Sequence, residues 1–470
     1  FAADYQDWGE RYRWFDPSYR DGVWDQVTVP HVWSLDPRFP AYVGAGWYRP
    51  RFPTPPTAAG NHVRLAFDAV FSRARVWLNG KLLGDHDGGY TPFEFDIGPL
   101  LLPDQPNLLV VRADNRWKED TIPGAHPGPE PQMQVKAWWD DGGIVRDVHL
   151  VVSAPVYLAN QKIEADPDLH AGTAVVRAKF WVRNTLDRDV NTAVKPEIWL
   201  DGKPLSLNAQ PVRATVKGSS VAELVWSAKL DPSQVRLWGL DTPVLYELRT
   251  AVEGGSSATQ TFGIRKFEAS GARLLLNGQP LRLGGANRVP SHAEWGQNDP
   301  PEGVAKDLSL MKEAGLVLAR MSHYPLSRAV IDWGNRHGML FIEEAIGATQ
   351  PELQNLNRRM YREMIERDWN SPSIVAWSIG NEFASETPEG VKYVQQMRDY
   401  VRLLDPTRLI TFATNRVTVP VPPEQEGSYY VDFVCMNTYS DPEGNGKHID
   451  IMHKRYPDKP LLVSEFGMRV

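Results

Sequence analysis

Residues 374–382 read Ile374-Val375-Ala376-Trp377-Ser378-Ile379-Gly380-Asn381-Glu382, apolar for the length of a strand and ending on a carboxylate. Amphipathic stretches flank them, 353–369 before and 388–404 after. The same rhythm continues in both directions from about residue 264 to the end. Strand candidates are 281–287, 316–322, 339–344, 374–382, 409–413, 431–439 and 461–465; helix candidates are 301–314, 326–337, 353–369, 388–404 and 450–456. Apolar strands alternating with amphipathic helices predict a parallel sheet with helices outside it. Seven strands in that order fit a (β/α)8 TIM barrel. Such a barrel takes eight strands and about 250 residues, so we expect a domain over 264–470 that stops before its eighth strand.

Upstream, the texture is β throughout. Residues 1–155 carry short alternating runs such as Val63-Arg64-Leu65-Ala66-Phe67, Ala74-Arg75-Val76-Trp77-Leu78 closed by Asn79-Gly80, and Leu108-Leu109-Val110-Val111-Arg112. Short strands with an Asn-Gly turn predict a β-sandwich or a jelly roll. The Pro- and Gly-rich stretch 122–131 reads as a loop. Residues 156–263 hold further strands, among them 174–182 and 221–226, with 198–203 a strand running into a turn. About 100 residues of that kind has the size of an immunoglobulin-like sandwich. Three domains are therefore expected: 1–155, 156–263 and 264–470.

Composition narrows the function. The 470 residues hold 51 Lys plus Arg against 58 Asp plus Glu, a net charge of -7, which argues against a nucleic-acid partner. No apolar run reaches the roughly 20 residues a bilayer needs. The one cysteine, Cys435, excludes an intrachain disulfide and a Cys-rich metal cluster. The chain opens at Phe1 with no signal segment. We expect a leader removed on export, a periplasmic or secreted protein ahead of a cytoplasmic one, with homo-oligomerisation left open.

Reactive groups of such a barrel collect where strands end. Those positions hold Asn287 and Arg288, Arg320, Ser322 and His323, Glu343 and Glu344, Asn381 and Glu382, Asn437 and Tyr439, and Glu465. Glu382 and Glu465 each close an apolar strand, the fourth and the seventh, across the mouth from one another. Two opposed carboxyls in a cleft suit glycoside hydrolysis; a strand-end acid taken singly serves as well to cap a helix or hold an arginine.

The surrounding residues resemble glycoside hydrolase family 2. Arg367-Asp368-Trp369-Asn370-Ser371-Pro372-Ser373 running into Ile374–Glu382 resembles the family's acid/base signature. Met311-Lys312-Glu313-Ala314-Gly315 and Arg320-Met321-Ser322-His323-Tyr324-Pro325 resemble its second-strand signature. Val463-Ser464-Glu465-Phe466-Gly467 resembles its nucleophile strand. Gly284-Gly285-Ala286-Asn287-Arg288 with His292 is similar to its first-strand loop, and Gly143-Ile144-Val145-Arg146-Asp147-Val148 to the exit strand of its first domain.

The resemblance implies a jelly-roll β-sandwich over 1–155. It implies a retaining exo-β-glycosidase with Glu382 as acid/base and Glu465 as nucleophile, about 5–5.5 Å apart. It implies substrate contacts from Asn381, His323, Asn287, His292 and at most one of Glu343 and Glu344, of which Glu344 is the candidate. Tyr439 would hydrogen-bond the nucleophile and Arg320 would anchor it. Trp33, Trp47, Trp117, Trp138, Trp139 and Trp295 lie in or near predicted loops and strand ends, where aromatic faces suit sugar stacking, although most of the 17 Trp are expected to be core and Trp377 to pack within the barrel.

Departures from the family matter too. The places of a magnesium-binding Glu and His fall on Ala348 and Gln350, so no metal and no cofactor is expected. The Asp that many members send from the first domain falls on Ala137, with Asp140 the nearest candidate and Asp141 beside it. An Asn and a Lys that hold the carboxylate in the family's glucuronidases would follow Val470. The expected substrate is a terminal β-linked glycoside, a β-galactoside first and a β-glucuronide or β-galacturonide second. A non-catalytic carbohydrate-binding protein is the alternative of another class.

Overall fold

The computed structural model describes residues 1–39, 42–122, 125–127, 134–136, 141–289, 291–345, 347 and 349–467. They group into two units, Phe1–Pro155 with Pro290–Pro300, and Val156–Val289 with Pro301–Val470.

The first unit is an antiparallel jelly roll. Its larger sheet carries Ala2–Asp4, Ala45–Tyr48, Asn107–Asp114, Arg73–Leu78 and Lys81–Asp87 in that order; a second holds Val148–Ser153, His62–Phe67 and Phe93–Asp96. Val63, Leu65 and Phe67 turn inward in alternation onto Val76, Leu78, Leu109 and Val111, the two-residue period of a half-buried strand. Asn79 and Gly80 take positive φ of 52° and 79°, the hairpin geometry that an Asn-Gly pair favours.

Three expectations need correction here. The stretch 122–131 is not all loop, because Ala125–Pro127 pairs antiparallel with Gln134–Lys136; a strand this short tolerates proline at its end. The exit strand starts later than the motif suggested, at Val148, and runs to Ser153. Ahead of it Gly143 has φ 129° and lies so close to His31 O that a Cβ would meet it at 2.1 Å. Trp33, Trp47 and Trp117 are buried, so they serve packing rather than a sugar face; Trp138 and Trp139 lie outside the described residues.

The second unit begins with an immunoglobulin-like sandwich. Val156–Asp168, Thr173–Asn184 and Ser220–Leu230 form one sheet; Val190–Leu200, Lys203–Pro204, Val212–Val216, Tyr246–Val252 and Ser257–Phe262 form the other. Phe180, Ile198, Trp226, Tyr246 and Leu248 fill the space between them. This sandwich is bonded to the barrel that follows it: Trp369 Nε1 and Asn370 Nδ2 donate to Gln161 O at 3.0 and 2.9 Å, and Ile163 N donates to Asn370 Oδ1 at 2.7 Å.

The barrel strands are β1 Gly285–Arg288, β2 Leu318–Met321, β3 Leu340–Glu344, β4 Ile374–Asn381, β5 Leu409–Thr414, β6 Val434–Tyr439 and β7 Leu461–Gly467, all parallel and adjacent in sequence order. Helices α1 Pro301–Glu313, α2 Arg328–His337, α3 Gln354–Asp368, α4 Pro388–Leu404 and α5 Pro442–Arg455 lie in the connections, and two 3-10 turns link β5 to β6. Leu318, Leu340, Ile342, Val375, Ala376 and Ala413 belong to one buried cluster with Phe267 and Leu276 of a small preceding hairpin. Helix α5 is twice as long as the sequence suggested. Asp441 caps it by accepting from Gly444 N at 2.6 Å and Pro442 opens it. Trp377 is buried on the helix side rather than inside the barrel: its Nε1 donates to Asp405 Oδ2 at 3.0 Å, at the C-terminal cap of α4. No helix among the described residues is long and apolar enough to cross a membrane.

Candidate active site

Two irregularities in the sheet aim the site. Pairing of β4 with β5 slips between Ser378 and Asn381. Gly380 takes φ 156° there, where a Cβ would come within 2.8 Å of the Phe383 ring, and Glu382 follows with φ 53°. A non-glycine residue at positive φ costs on the order of 1–3 kcal/mol and persists where its surroundings force it. The result is that Ser378 and Asn381, three residues apart, both turn into the barrel. Pairing of β6 with β7 slips in the same way: Met436 faces Val463, but Asn437 faces Glu465, which leaves Ser464 as an extra residue. Bulges of this kind re-aim side chains beside functional sites.

Arg320 sits at the centre of what converges. Its side chain is 4% exposed and pairs with Glu344 at 3.0 Å and with Glu465 at 2.7 Å. The same guanidinium donates to Asn381 Oδ1 at 2.9 Å and to Asn287 Oδ1 at 3.4 Å. Burial opposes its charge, but Glu344 and then Glu465 outweigh that cost and hold Arg320 above its ordinary range. Glu344 is fully buried. Burial disfavours its charge as well, yet Arg320, with hydrogen bonds from His323 and Ser378, holds its carboxyl below the ordinary value.

Those bonds fix two assignments. His323 Nδ1 lies 2.9 Å from Glu344 Oε1 and 3.3 Å from Arg320 Nη2; the shorter contact is to a carboxylate, which only accepts, and it favours the tautomer with the hydrogen on Nδ1. Ser378 Oγ donates to Glu344 Oε2 at 2.5 Å. Asn381 Oδ1 takes donors from both Arg320 and Asn437 Nδ2, the latter at 3.1 Å. Its Nδ2 is thereby left as a donor toward the barrel mouth.

The two strand-end glutamates hang on this frame. Glu465 accepts from Arg320 through Oε1 and from Tyr439 Oη through Oε2 at 2.7 Å. Burial, then the hydrogen bond and charge of Glu465, push the Tyr439 phenol up to about 12, so it stays protonated and donates. Glu382 Oε1 accepts from Asn437 Nδ2 at 2.8 Å. Asn437 Oδ1 accepts from Ser464 Oγ at 2.8 Å, and Asn287 Nδ2 bridges from β1 to Ser464 O at 3.0 Å.

Arg320, His323, Glu344, Asn381, Tyr439, Asn287, Glu382 and Glu465 thus belong to one hydrogen-bonded set. Glu343 belongs elsewhere, on the opposite face of β3, where Arg367 holds it at 3.0 Å. His292 falls in the segment that groups with the first unit; its ring stacks on Trp295 at 3.6 Å and its Nδ1 accepts from Glu294 N. Asp140 lies outside the described residues, while its neighbour Asp141 accepts from Ser34 Oγ at 2.6 Å. Ser378 and Ser464 escaped the reading of strand ends. The available signals were a glycine inside a strand pattern, which marks a bulge, and a hydroxyl next to the final carboxylate. Among the described residues no group of three or more His, Cys, Asp or Glu side chains is placed to hold a metal ion.

Three family models match the chain. Residues 11–154 match "Glycosyl hydrolases family 2, sugar binding domain", 156–265 match "Glycosyl hydrolases family 2", and 267–470 match "Glycosyl hydrolases family 2, TIM barrel domain". Beta-galactosidase BoGH2A of Bacteroides ovatus is 25% identical over 96% of this chain and 56% of its own length. A beta-glucuronidase of Bacteroides fragilis is 26% identical over 94% of this chain and 65% of its own. The solved structure of Bacteroides uniformis beta-glucuronidase 2, covalently bound to cyclophellitol-6-carboxylate aziridine, superposes with a TM-score of 0.85 at 26% identity over 96% of this chain and 57% of that one. The chain therefore spans a little over half to about two thirds of the length of these proteins.

Proposed function

The chain belongs to glycoside hydrolase family 2, and from that premise we propose that it hydrolyses terminal β-linked glycosides with retention of configuration. The observation that carries the proposal is a pair of glutamates, on the fourth and seventh strands, held in different ways by one network. Glu465 is clamped through both oxygens, by Arg320 and Tyr439. Among the described residues Glu382 is held through Oε1 alone, by Asn437.

That asymmetry suits the two roles. A nucleophile has to be fixed in line with the anomeric carbon, and an arginine on one oxygen with a phenol donor on the other hold it there. A general acid needs one oxygen to carry and hand over a proton. In the first step an oxygen of Glu465 bonds to the anomeric carbon while the bond to the glycosidic oxygen breaks, and Glu382 gives that oxygen its proton. In the second, Glu382 takes a proton from water, the water oxygen bonds to the anomeric carbon, and the ester to Glu465 breaks. Two inversions return the β configuration. The Nδ2 of Asn381 donates to the hydroxyl beside the reacting carbon, where such bonds strengthen in the transition state. His323 contacts a further sugar hydroxyl.

The sugar proposed is a β-galactoside. Among the described residues of the set the one guanidinium, Arg320, is already neutralised by Glu344 and Glu465, which favours an uncharged ring. A β-uronide is the second reading, favoured by the name of the Bacteroides fragilis relative. A panel of p-nitrophenyl β-glycosides separates them. Release from the galactoside that is lost in Glu465→Ala supports the first reading, and release from the glucuronide or galacturonide alone replaces it with the second. Release from none overturns the glycosidase reading.

A further inference from the structure

We propose that Asn437 and Ser464 form a positioning pair that decides which oxygen of Glu382 carries the catalytic proton; this rests on the glycosidase reading above. Asn437 is held from two sides. Ser464 Oγ bonds its Oδ1 at 2.8 Å, and Asn381 Oδ1 accepts from its Nδ2 at 3.1 Å. Asn381 is itself fixed by Arg320, so it offers Asn437 an acceptor and nothing else. Only one orientation of the Asn437 amide satisfies these neighbours, with the NH2 group toward Glu382 Oε1 at 2.8 Å.

A donor aimed at Oε1 makes it the acceptor of the pair and disfavours a proton there. The hydrogen of the acid form therefore sits on Oε2, the oxygen no protein side chain holds among the described residues, from which it can pass to the glycosidic oxygen. Were the amide reversed, Glu382 could donate to Asn437 Oδ1 and its proton would be buried in the protein. The bulge in β7 makes the arrangement reachable. In a regular strand Ser464 and Glu465 would face opposite sides; with Ser464 as the extra residue, both reach the side of β6 that carries Asn437 and Tyr439. One irregularity thus ties the strand of the nucleophile to the side chain that orients the acid.

The test compares leaving groups. Dinitrophenolate departs without a proton, whereas an alkoxide needs one, so only the alkyl glycoside depends on the acid in kcat/KM. For Asn437→Ala we expect kcat/KM on the methyl glycoside to fall at least about tenfold while the 2,4-dinitrophenyl glycoside of the same sugar stays within about twofold. Ser464→Ala should give the same selectivity with a smaller loss, about fivefold, and Ser464→Thr should restore it. In the Asn437→Ala background Ser464→Ala should cost nothing more, because the two act through one contact. Retained dinitrophenyl hydrolysis certifies that each variant is folded. Equal losses on both substrates, an unchanged Ser464→Ala, or additive losses in the double variant would overturn the pair while leaving the glycosidase reading intact. A native chain that hydrolyses no β-glycoside would overturn both.

Discussion

Replacing Glu344 by glutamine removes one negative charge from the centre of the barrel and little volume. Glu344 is fully buried and accepts from Arg320 at 3.0 Å, His323 at 2.9 Å and Ser378 at 2.5 Å. Glutamine keeps one acceptor oxygen and sets an NH2 group against at least one of these donors, so a buried hydrogen is left without a partner. Among the described residues Arg320 then keeps one carboxylate ion pair, with Glu465. Breaking one side of a buried ion pair costs about 3–5 kcal/mol; the surviving acceptor places Glu344→Gln near ~3 kcal/mol. For a unit of this size each kcal/mol moves the melting temperature by about 2 °C, hence a drop of about 6 °C at pH 7. The pH dependence has a definite sign. The folded state holds the Glu344 carboxyl below its usual 4.5, so its stabilisation is fully present above that value and is lost as pH falls through the lower, folded one. The gap between native and variant chains should therefore narrow in acid. Calorimetry at pH 7 and near pH 4 measures both. A drop under about 1 °C at pH 7, or a gap that widens in acid, would refute the reasoning.

Three further outcomes follow from the same frame. Tyr439→Phe removes a donor to the Glu465 carboxylate; because Tyr439 is 45% exposed, the low end of a charged hydrogen bond applies, ~1.5 kcal/mol or roughly tenfold in kcat, with the melting point nearly unmoved. Its phenol lies at about 12, so the pH–rate profile should show no limb of its own at neutral or mildly alkaline pH. Gly380→Ala drives a Cβ to 2.8 Å from Phe383 at a φ that side chains avoid, and should lower the melting temperature and kcat together. Asp405→Asn strips the buried partner of Arg408 at 2.6 Å and Trp377 at 3.0 Å, costing about 3 kcal/mol in a melt while kcat per folded molecule holds.

Periodicity made the barrel legible. Seven apolar segments separated by amphipathic ones can bury their strands only as a parallel sheet under helices, and the apolar runs 374–381 and 461–464 each lead directly into a glutamate, Glu382 just after β4 and Glu465 within β7. What stayed hidden was local geometry that no period encodes. A two-residue alternation puts Ser378 and Asn381 on opposite faces and likewise Ser464 and Glu465; the slips at Gly380 and Ser464 undo that, and the sequence hints at the first through a glycine and at the second only through a hydroxyl beside the final carboxylate. The expected span 450–456 leaves out the first half of helix α5, where Gly444 and Gly446 lower helix propensity and the Asp441 cap offsets them. Tryptophans near loops suggested sugar platforms, yet Trp33, Trp47 and Trp117 are core, since large apolar area outweighs sequence position. His292, close to β1 in sequence, falls in a segment that groups with the other unit and is closed on itself by the bridge from His292 to Gly296.

Incubation of the protein with a 2-deoxy-2-fluoro β-glycoside carrying a dinitrophenyl leaving group, followed by intact mass and peptide mapping, is the most direct test of the two-glutamate assignment. The fluorine slows both steps and the reactive leaving group speeds only the first, so a glycosyl-enzyme accumulates. One added sugar on the peptide that contains Glu465, absent from Glu465→Ala, is the result expected. A label on another residue, or turnover with inverted configuration and no adduct, would contradict the assignment.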